Sequence, residues 1–137
     1  MDDHLKKVKK DFEESAYWQF LGMKMKELSV GRAELELPFN PSFKNARDIV
    51  HGGVIASMLD MTMGVLGKSL GYDEVMTLNM GIQFLKPVGE ETIYSEASII
   101  NEGRSASLIE AKLLDESGNI IAHSTGAFKL VKREQTT

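Results

Sequence analysis

The sequence has no cysteine, which excludes disulfide bonds, thiolate catalysis and metal sites built on cysteine. Histidine is also scarce: His4, His51 and His123 are the three present, and no two of them have the spacing of metal ligands. We therefore expect no metal site. The 137 residues are the length of one domain, so we predict a single domain over residues 1–137.

Excess positive charge is absent as well. The formal net charge of −4 argues against a protein that binds nucleic acid by neutralising phosphates. The longest apolar stretch, residues 50–66, contains His51, Ser57 and Asp60, which makes it a poor membrane span. The first 19 residues mix charged and apolar side chains, unlike a signal peptide. These features predict a cytoplasmic protein with no nucleic-acid or membrane partner.

The N-terminal segment has the apolar spacing of a helix. Between Leu5 and Phe12, apolar residues recur at intervals of three and four, which predicts a short amphipathic helix within residues 1–19. The aromatic residues at its end, Trp18 and Phe20, are expected to anchor this helix to the body of the protein.

The rest of the chain predicts one long helix and a set of strands. Residues 50–70 are apolar on nearly all sides, which is typical of a helix wrapped by other structure. Strands are predicted over residues 21–30, 32–39, 75–87, 92–100, 107–115 and 120–131. Consecutive strands after a helix favour an antiparallel sheet. We predict an α+β fold, an antiparallel sheet wrapped around one long central helix, with a frayed tail over residues 132–137.

The segment from Asn45 to Asp60 has the most chemical content. It places His51-Gly52-Gly53 at the start of the central helix, where backbone N–H groups suit a developing negative charge. Two turns further along, Asp60 lies among apolar residues, and a carboxylate there is costly to bury unless a partner or a reaction requires it. The segment therefore indicates a site that holds an oxyanion and activates a water or attacks an acyl group.

The spacing of these residues also bears on how many chains form the site. In a helix, His51 and Asp60 lie about 13 Å apart along the axis and on roughly opposite faces. They cannot meet one substrate within a single chain. If both ends act together, the Gly52 end belongs to one subunit and Asp60 to its neighbour.

The same residues resemble the hotdog-fold acyl-CoA thioesterases, in particular the phenylacetate-pathway (PaaI-type) branch related to 4-hydroxybenzoyl-CoA thioesterase. The resemblance rests on Asn45, His51-Gly52-Gly53 and Leu59-Asp60, and it extends through Met80-Gly-Ile-Gln-Phe-Leu-Lys-Pro87 and the order of elements. It implies a homodimer with sites at the subunit interface, and a dimer of dimers is the expected further assembly, although both the dimer and the tetramer stay open. Coenzyme A would be part of the substrate and no cofactor would be needed.

The resemblance also implies roles for individual residues. Asp60 would be the general base or the nucleophile. The Gly52 amide, with Asn45, would hold the thioester carbonyl or the attacking water, and Gly53 would contact the substrate. Thr77 would help to position water.

Each of these residues has a plainer interpretation that the sequence leaves open. Asp60 could be a buried carboxylate bonded to backbone groups, and His51 could order the helix entrance without acting as a base. Asn45 could be a turn residue and Thr77 an ordinary strand residue. Arg104, in a predicted hairpin, could reach the coenzyme A phosphates or could be a solvated arginine.

The first functional hypothesis is hydrolysis of an acyl-CoA thioester. Two others stay open: a module that binds acyl-CoA without turnover, and the hydratase or dehydratase chemistry of other hotdog proteins, which pairs a histidine with a carboxylate across the dimer. The acyl group stays open too, between aryl and short, medium or long chains, because apolar residues line such pockets in every case.

Overall fold

The computed structural model describes residues 1–133. It confirms the predicted fold: a six-stranded antiparallel sheet wraps around one long central helix. In chain order the helices and strands are α1 (Asp3–Glu13), α2 (Ala16–Leu21), β1 (Lys24–Ser29), β2 (Arg32–Leu37), α3 (Gly52–Ser69), β3 (Glu74–Phe84), β4 (Ile93–Asn101), β5 (Ser107–Leu114) and β6 (Ile120–Val131).

The single helix predicted within residues 1–19 is wrong, because the structure has two helices there. α1 ends at Glu13, Ser15 is extended with φ −67° and ψ 134°, and α2 then begins at Ala16. Serine is a favoured residue just before a helix, although the Ser15 side chain makes no capping hydrogen bond here. Apolar periodicity does not register such a break.

The expected anchoring by two aromatic residues holds for one of them. Trp18 packs into the core with 3% of its surface exposed, whereas Phe20 is 74% exposed. Residues two positions apart on a helix point about 200° apart, so they cannot both face the body of the protein. Leu21, three positions after Trp18, takes the second buried place instead.

The sheet has the strand order β1-β2-β4-β5-β6-β3, and every pairing is antiparallel. Alternate side chains face α3, as the sequence of β2 predicts: Ala33, Leu35 and Leu37 are buried and the glutamates between them are not. α3 contacts all six strands, so the core of the protein lies between this helix and the inner surface of the sheet.

The central helix is buried on one side and partly accessible on the other. Its fully buried apolar side chains are Met58, Leu59, Met63, Val65 and Leu66. On the opposite stripe, Ser57, Asp60 and Gly64 remain partly exposed because the sheet curves around only the other side. Within residues 1–133, no helix is long and apolar enough to cross a membrane.

Strand β3 forms one edge of the sheet and exposes large apolar side chains. It pairs with β6, and no other strand of the described chain covers its second edge. Met76, Leu78 and Phe84 on this strand are 47%, 53% and 56% exposed. Unpaired backbone groups beside apolar side chains are the features that allow a second chain to add to a sheet.

The predicted frayed tail, residues 132–137, lies mainly outside the described residues, which end at Arg133. Arg133 itself is held in place. Its backbone N–H donates to Asp73 Oδ2 at 2.8 Å, and its guanidinium donates to Glu74 Oε1 at 2.9 Å.

Candidate active site

The start of α3 presents a backbone N–H group that has no partner in the described chain. His51 caps the helix: its Nδ1 accepts a hydrogen bond from the Gly53 N–H at 3.1 Å. The Gly53 N–H is therefore already occupied by the capping hydrogen bond to His51. The Gly52 N–H has no acceptor among residues 1–133. Gly52 thus supplies a free donor at the positive end of the helix dipole.

Asn45 lines the same cavity as Gly52. Its Oδ1 accepts hydrogen bonds from the backbone N–H groups of Arg47, at 2.8 Å, and Ile49, at 3.4 Å. The carbonyl of this side chain therefore holds the loop in a turn, while its amide NH₂ group has no acceptor among residues 1–133. The turn interpretation of Asn45 is confirmed, and its NH₂ group can still donate to a ligand.

The cavity beside Gly52 is mainly apolar. Its volume is about 240 Å³, and its lining consists of Asn45, Ile49, Val50, Gly52, Ile55, Phe84, Leu85, Lys86, Pro87 and Val88. The ring of Phe84 lies against Gly52, so that a Cβ atom on that residue would be 3.4 Å from the ring. A narrow apolar cleft with a few polar groups at one end is typical of a small-molecule site.

Asp60 and Thr77 meet across the gap between α3 and β3. The Thr77 hydroxyl donates a hydrogen bond to Asp60 Oδ1 at 2.7 Å. Within residues 1–133, Oδ2 of Asp60 has no hydrogen-bond partner, so one carboxylate oxygen is oriented and the other is free. The sequence predicts Thr77 as a candidate residue, and the structure brings it into direct contact with the carboxylate.

The predicted burial of Asp60 is wrong for the single chain. Its surroundings in the sequence are apolar, but the side chain lies on the stripe of α3 that the sheet leaves partly accessible. Because 3.6 residues form a turn, apolar neighbours in sequence need not be neighbours on the same face. An accessible carboxylate with one fixed oxygen can reach a substrate.

The structure places the two halves of the predicted site apart. Gly52 and Asp60 lie eight residues apart on the same straight element, which is about 12 Å along the axis. Gly52 and Asn45 line one cavity, and Asp60 and Thr77 form a separate pair. One chain does not assemble both halves around one carbonyl group.

Arg104 lies at the other end of the molecule. It is exposed in the hairpin between β4 and β5. This hairpin lies against the residues that follow α3, where burial, together with the charge and hydrogen bond of Glu102, raises the pKa of Tyr72. Since Gly52 is at the opposite end of α3, Arg104 cannot reach the Gly52 cavity of its own chain.

A larger concavity, of about 450 Å³, lies on the outer surface of the sheet and contains none of these residues. Arg32 pairs with Glu34 at 3.1 Å and Lys112 with Glu96 at 3.0 Å, and a ring nitrogen of His123 lies 3.2 Å from a Glu110 carboxylate oxygen. Ion pairs at a solvated surface add little energy and leave few groups free for a ligand. Across residues 1–133, no three His, Asp or Glu side chains are grouped as metal ligands.

Three residues near the candidate site have no role assigned from the sequence, although Phe84 lies in the run over residues 80–87 and Ser57 in the segment from Asn45 to Asp60. Phe84 packs on Gly52, Ser57 lies one turn before Asp60 on the same helix, and Tyr17 bonds to Ser57. Helical spacing from Asp60 could identify Ser57. The contact of Tyr17 joins residues 40 positions apart, and nothing in the local sequence indicates it.

Comparison with known proteins places this geometry in a family. The thioesterase superfamily matches the chain over residues 48–122, which include Gly52, Asp60 and Thr77. The Escherichia coli protein named medium/long-chain acyl-CoA thioesterase YigI is 26% identical over 125 residues, which cover 79% of this chain and 81% of YigI.

Solved structures share the architecture. A thioesterase family protein from Silicibacter pomeroyi superposes with a TM-score of 0.87 at 24% identity, covering 95% of this chain and 99% of that one. The Escherichia coli PaaI protein from the phenylacetic acid degradation operon gives a TM-score of 0.85 at 19% identity, over 93% and 92% of the two chains. Because the sequence match spans more than half of the chain, this protein belongs to the thioesterase superfamily, with the hotdog fold and the PaaI-type resemblance predicted from its sequence.

Proposed function

We propose that this protein hydrolyses an acyl-CoA thioester to the free acid and coenzyme A. The observation that carries the proposal is the Asp60–Thr77 pair, in which one carboxylate oxygen is fixed at 2.7 Å and the other is free. Membership of the thioesterase superfamily supports thioester hydrolysis in general. The name of the relative YigI supports acyl-CoA as the substrate class.

In the proposed reaction, Asp60 acts as general base or as nucleophile. As a base, its free oxygen takes a proton from water while the water oxygen bonds to the thioester carbon. The resulting oxyanion is held by the Gly52 N–H, the carbon–sulfur bond then breaks, and the coenzyme A thiolate leaves with the proton that Asp60 took from water. As a nucleophile, Asp60 displaces the thiolate first, and water hydrolyses the anhydride. Both routes give the same products and use the same carboxylate.

The remaining groups have supporting roles in this proposal. Thr77 orients Asp60 through its hydrogen bond and helps to position the attacking water. The NH₂ group of Asn45 adds a second donor beside Gly52, and His51 holds the helix start on which that donor depends. One preorganised donor of this kind is typically worth about 3–4 kcal/mol in the transition state. The proposed reaction uses no metal and no cofactor.

We further propose that the working unit is a homodimer with shared sites. The length of α3 between Gly52 and Asp60 supports this, because the two groups are too far apart to act together in one chain. The exposed edge of β3, with Met76, Leu78 and Phe84, supports a subunit interface at this strand. Arg104 would then contact coenzyme A phosphates at a site completed by the second subunit. Pairing into a dimer of dimers and a cytoplasmic location are parts of the same proposal.

The test is thiol release from acetyl-, butyryl-, octanoyl- and benzoyl-CoA. Because the chain has no cysteine, a thiol reagent detects only released coenzyme A. We expect wild-type activity on at least one substrate, and a loss of about a hundredfold or more in Asp60→Asn. The matched control is Asp11→Asn, which removes an exposed carboxylate in α1 and should leave the rate unchanged.

Two further measurements, run beside the thiol assay, separate the alternative functions. Binding of acyl-CoA by the wild type without thiol release would favour a module without turnover. A change of absorbance on an enoyl-CoA, again without thiol release, would favour hydratase or dehydratase chemistry. An Asp60→Asn variant as active as the wild type would refute the role of the carboxylate.

A further inference from the structure

The short helix α2 presents two aromatic side chains to solvent. Trp18 and Leu21 face the core, and Tyr17 and Phe20, on the other side, are 48% and 74% exposed. The two exposed rings stack, with their centroids 6.3 Å apart and an interplanar angle of 15°. Adjacent exposed aromatic rings form an apolar surface of the kind that binds ligands.

A hydrogen-bond chain fixes this surface to α3. Ser57 Oγ donates to the carbonyl oxygen of Gly53 at 2.9 Å, and it lies 2.7 Å from the Tyr17 hydroxyl. Serine has one hydroxyl hydrogen, which is already used, so Tyr17 is the donor in the second bond. The ring of Tyr17 is thereby held against the first two turns of α3.

This attachment point is next to Asp60. Ser57 precedes Asp60 by three positions, so that their Cβ atoms are about 5–6 Å apart on the same helix face. One turn on the other side of Asp60, a Cβ atom on Gly64 would lie 3.7 Å from the ring of Phe12 in α1. The N-terminal helices therefore contact α3 both before and after the carboxylate.

Strand β3 borders the opposite side of the same carboxylate. Thr77 bonds to Asp60 from that side, whereas Ser57 and Gly64 are both rotated about 40–60° from Asp60 in the other direction. Asp60 thus lies between the N-terminal helices on one side and β3 on the other. An acyl group whose carbonyl carbon is attacked at Asp60 would extend either along the N-terminal helices or along β3.

We propose that Tyr17 and Phe20 bind the acyl group and determine its size, and that Ser57 is a positioning residue that holds Tyr17 in place. The inference rests on the proposed thioester hydrolysis. The recognised chemistry is an apolar acyl group larger than acetyl, which covers the stacked rings. The acetyl group is too short to cover them and gains little from their presence.

The first test is Phe20→Ala, with Val30→Ala as the matched control. Val30 is also an exposed apolar residue, at 64%, but lies in the turn between β1 and β2. We expect kcat/KM for octanoyl-CoA to fall about tenfold in Phe20→Ala, which corresponds to losing the burial of about two methylene groups. The rate on acetyl-CoA, and both rates in Val30→Ala, should not change. An equal loss on both substrates would overturn the proposal.

The second test examines the positioning role. Tyr17→Phe and Ser57→Ala each remove one hydrogen bond, and Tyr94→Phe removes a tyrosine hydroxyl from the outer surface of the sheet. We expect KM for octanoyl-CoA to rise about threefold in the first two variants with kcat unchanged, since the net loss of one hydrogen bond at the surface is small. A fall in kcat with constant KM, or the same effect in Tyr94→Phe, would contradict a positioning role.

A binding measurement separates this inference from the proposed function. Calorimetry with octanoyl-CoA and acetyl-CoA analogues, in which CH₂ replaces the thioester sulfur, reports affinity without turnover. Weaker binding of the octanoyl analogue in Phe20→Ala would support acyl binding by Tyr17 and Phe20 even if the wild type released no thiol. Unchanged binding would refute it even if thiol release were rapid. A change in the molecular mass of Phe20→Ala by light scattering would assign the rings to a subunit contact and also refute the proposal.

Discussion

The proposed oxyanion donor can be removed with one substitution that the local backbone already accommodates. Gly52 is the first residue of α3, a position where proline is favoured because its missing N–H has no partner within the helix. The preceding residue, His51, has φ −62° and ψ 136°, the extended conformation that a residue before proline requires. Gly52→Pro therefore removes the N–H group and disturbs little else.

A matched control accounts for the added side chain. A Cβ atom at position 52 would lie 3.4 Å from the ring of Phe84, and this contact is present in both Gly52→Pro and Gly52→Ala. The alanine variant keeps the N–H group. Loss of one oxyanion donor typically lowers kcat by about 100- to 1,000-fold, so the proline variant should be slower than the alanine variant by that factor.

The assay is thiol release from the best acyl-CoA substrate, together with thermal unfolding of both variants. The proline variant should be as stable as the alanine variant or more so, by up to about 1 kcal/mol, because proline restricts the unfolded chain. If both variants fold and differ in kcat by less than about threefold, the Gly52 amide is not the donor that holds the oxyanion.

Further predictions concern orientation, packing and acid stability. Thr77→Val frees Oδ1 of Asp60 and should lower kcat about tenfold with little change in stability, measured by thiol release and thermal unfolding. Gly67→Ala adds a Cβ atom 3.0 Å from the Leu130 side chain and 3.1 Å from Val75, and this crowding should cancel the gain of roughly 1 kcal/mol that alanine usually brings inside a helix, as measured by urea titrations. A hydrogen bond from the backbone N–H four residues on lowers the pKa of Asp115 below its ordinary 3.8. The ionised Asp115 carboxylate therefore stabilises the fold above that pH, and this stabilisation is lost on acidification. In Asp115→Asn, the free energy of unfolding should consequently decline less steeply below about pH 4.

The sequence predicts those features of the fold that depend on periodicity. Alternation in Ala33, Leu35 and Leu37 predicts both the strand and its buried side, and the apolar run of α3 predicts a wrapped helix. Periodicity cannot predict the end of α1, because it does not register the single extended residue, Ser15, that separates α1 from α2. Nor does it predict that Asp60 is accessible, since that depends on how far the sheet curves around the helix.

The site was predictable in part because most of its residues lie close together in the sequence. Asn45, Gly52 and Asp60 belong to one continuous segment whose residue types indicate chemistry. Thr77 was predicted from the resemblance, and the structure adds its bond to the carboxylate. The contact of Tyr17 with α3 arises only when α2 folds onto that helix, so local sequence gives no sign of it.

The most direct test of the account is subunit complementation with two differently tagged chains. In heterodimers of Asp60→Asn with Gly52→Pro, a shared site retains one intact Asp60–Gly52 combination, so about half of the wild-type activity per dimer should return. In heterodimers of the wild type with a chain carrying both substitutions, no intact combination remains and activity should be lost. The opposite pattern, with no activity in the first heterodimer and about half in the second, would mean that each chain contains its own complete site and would contradict the account.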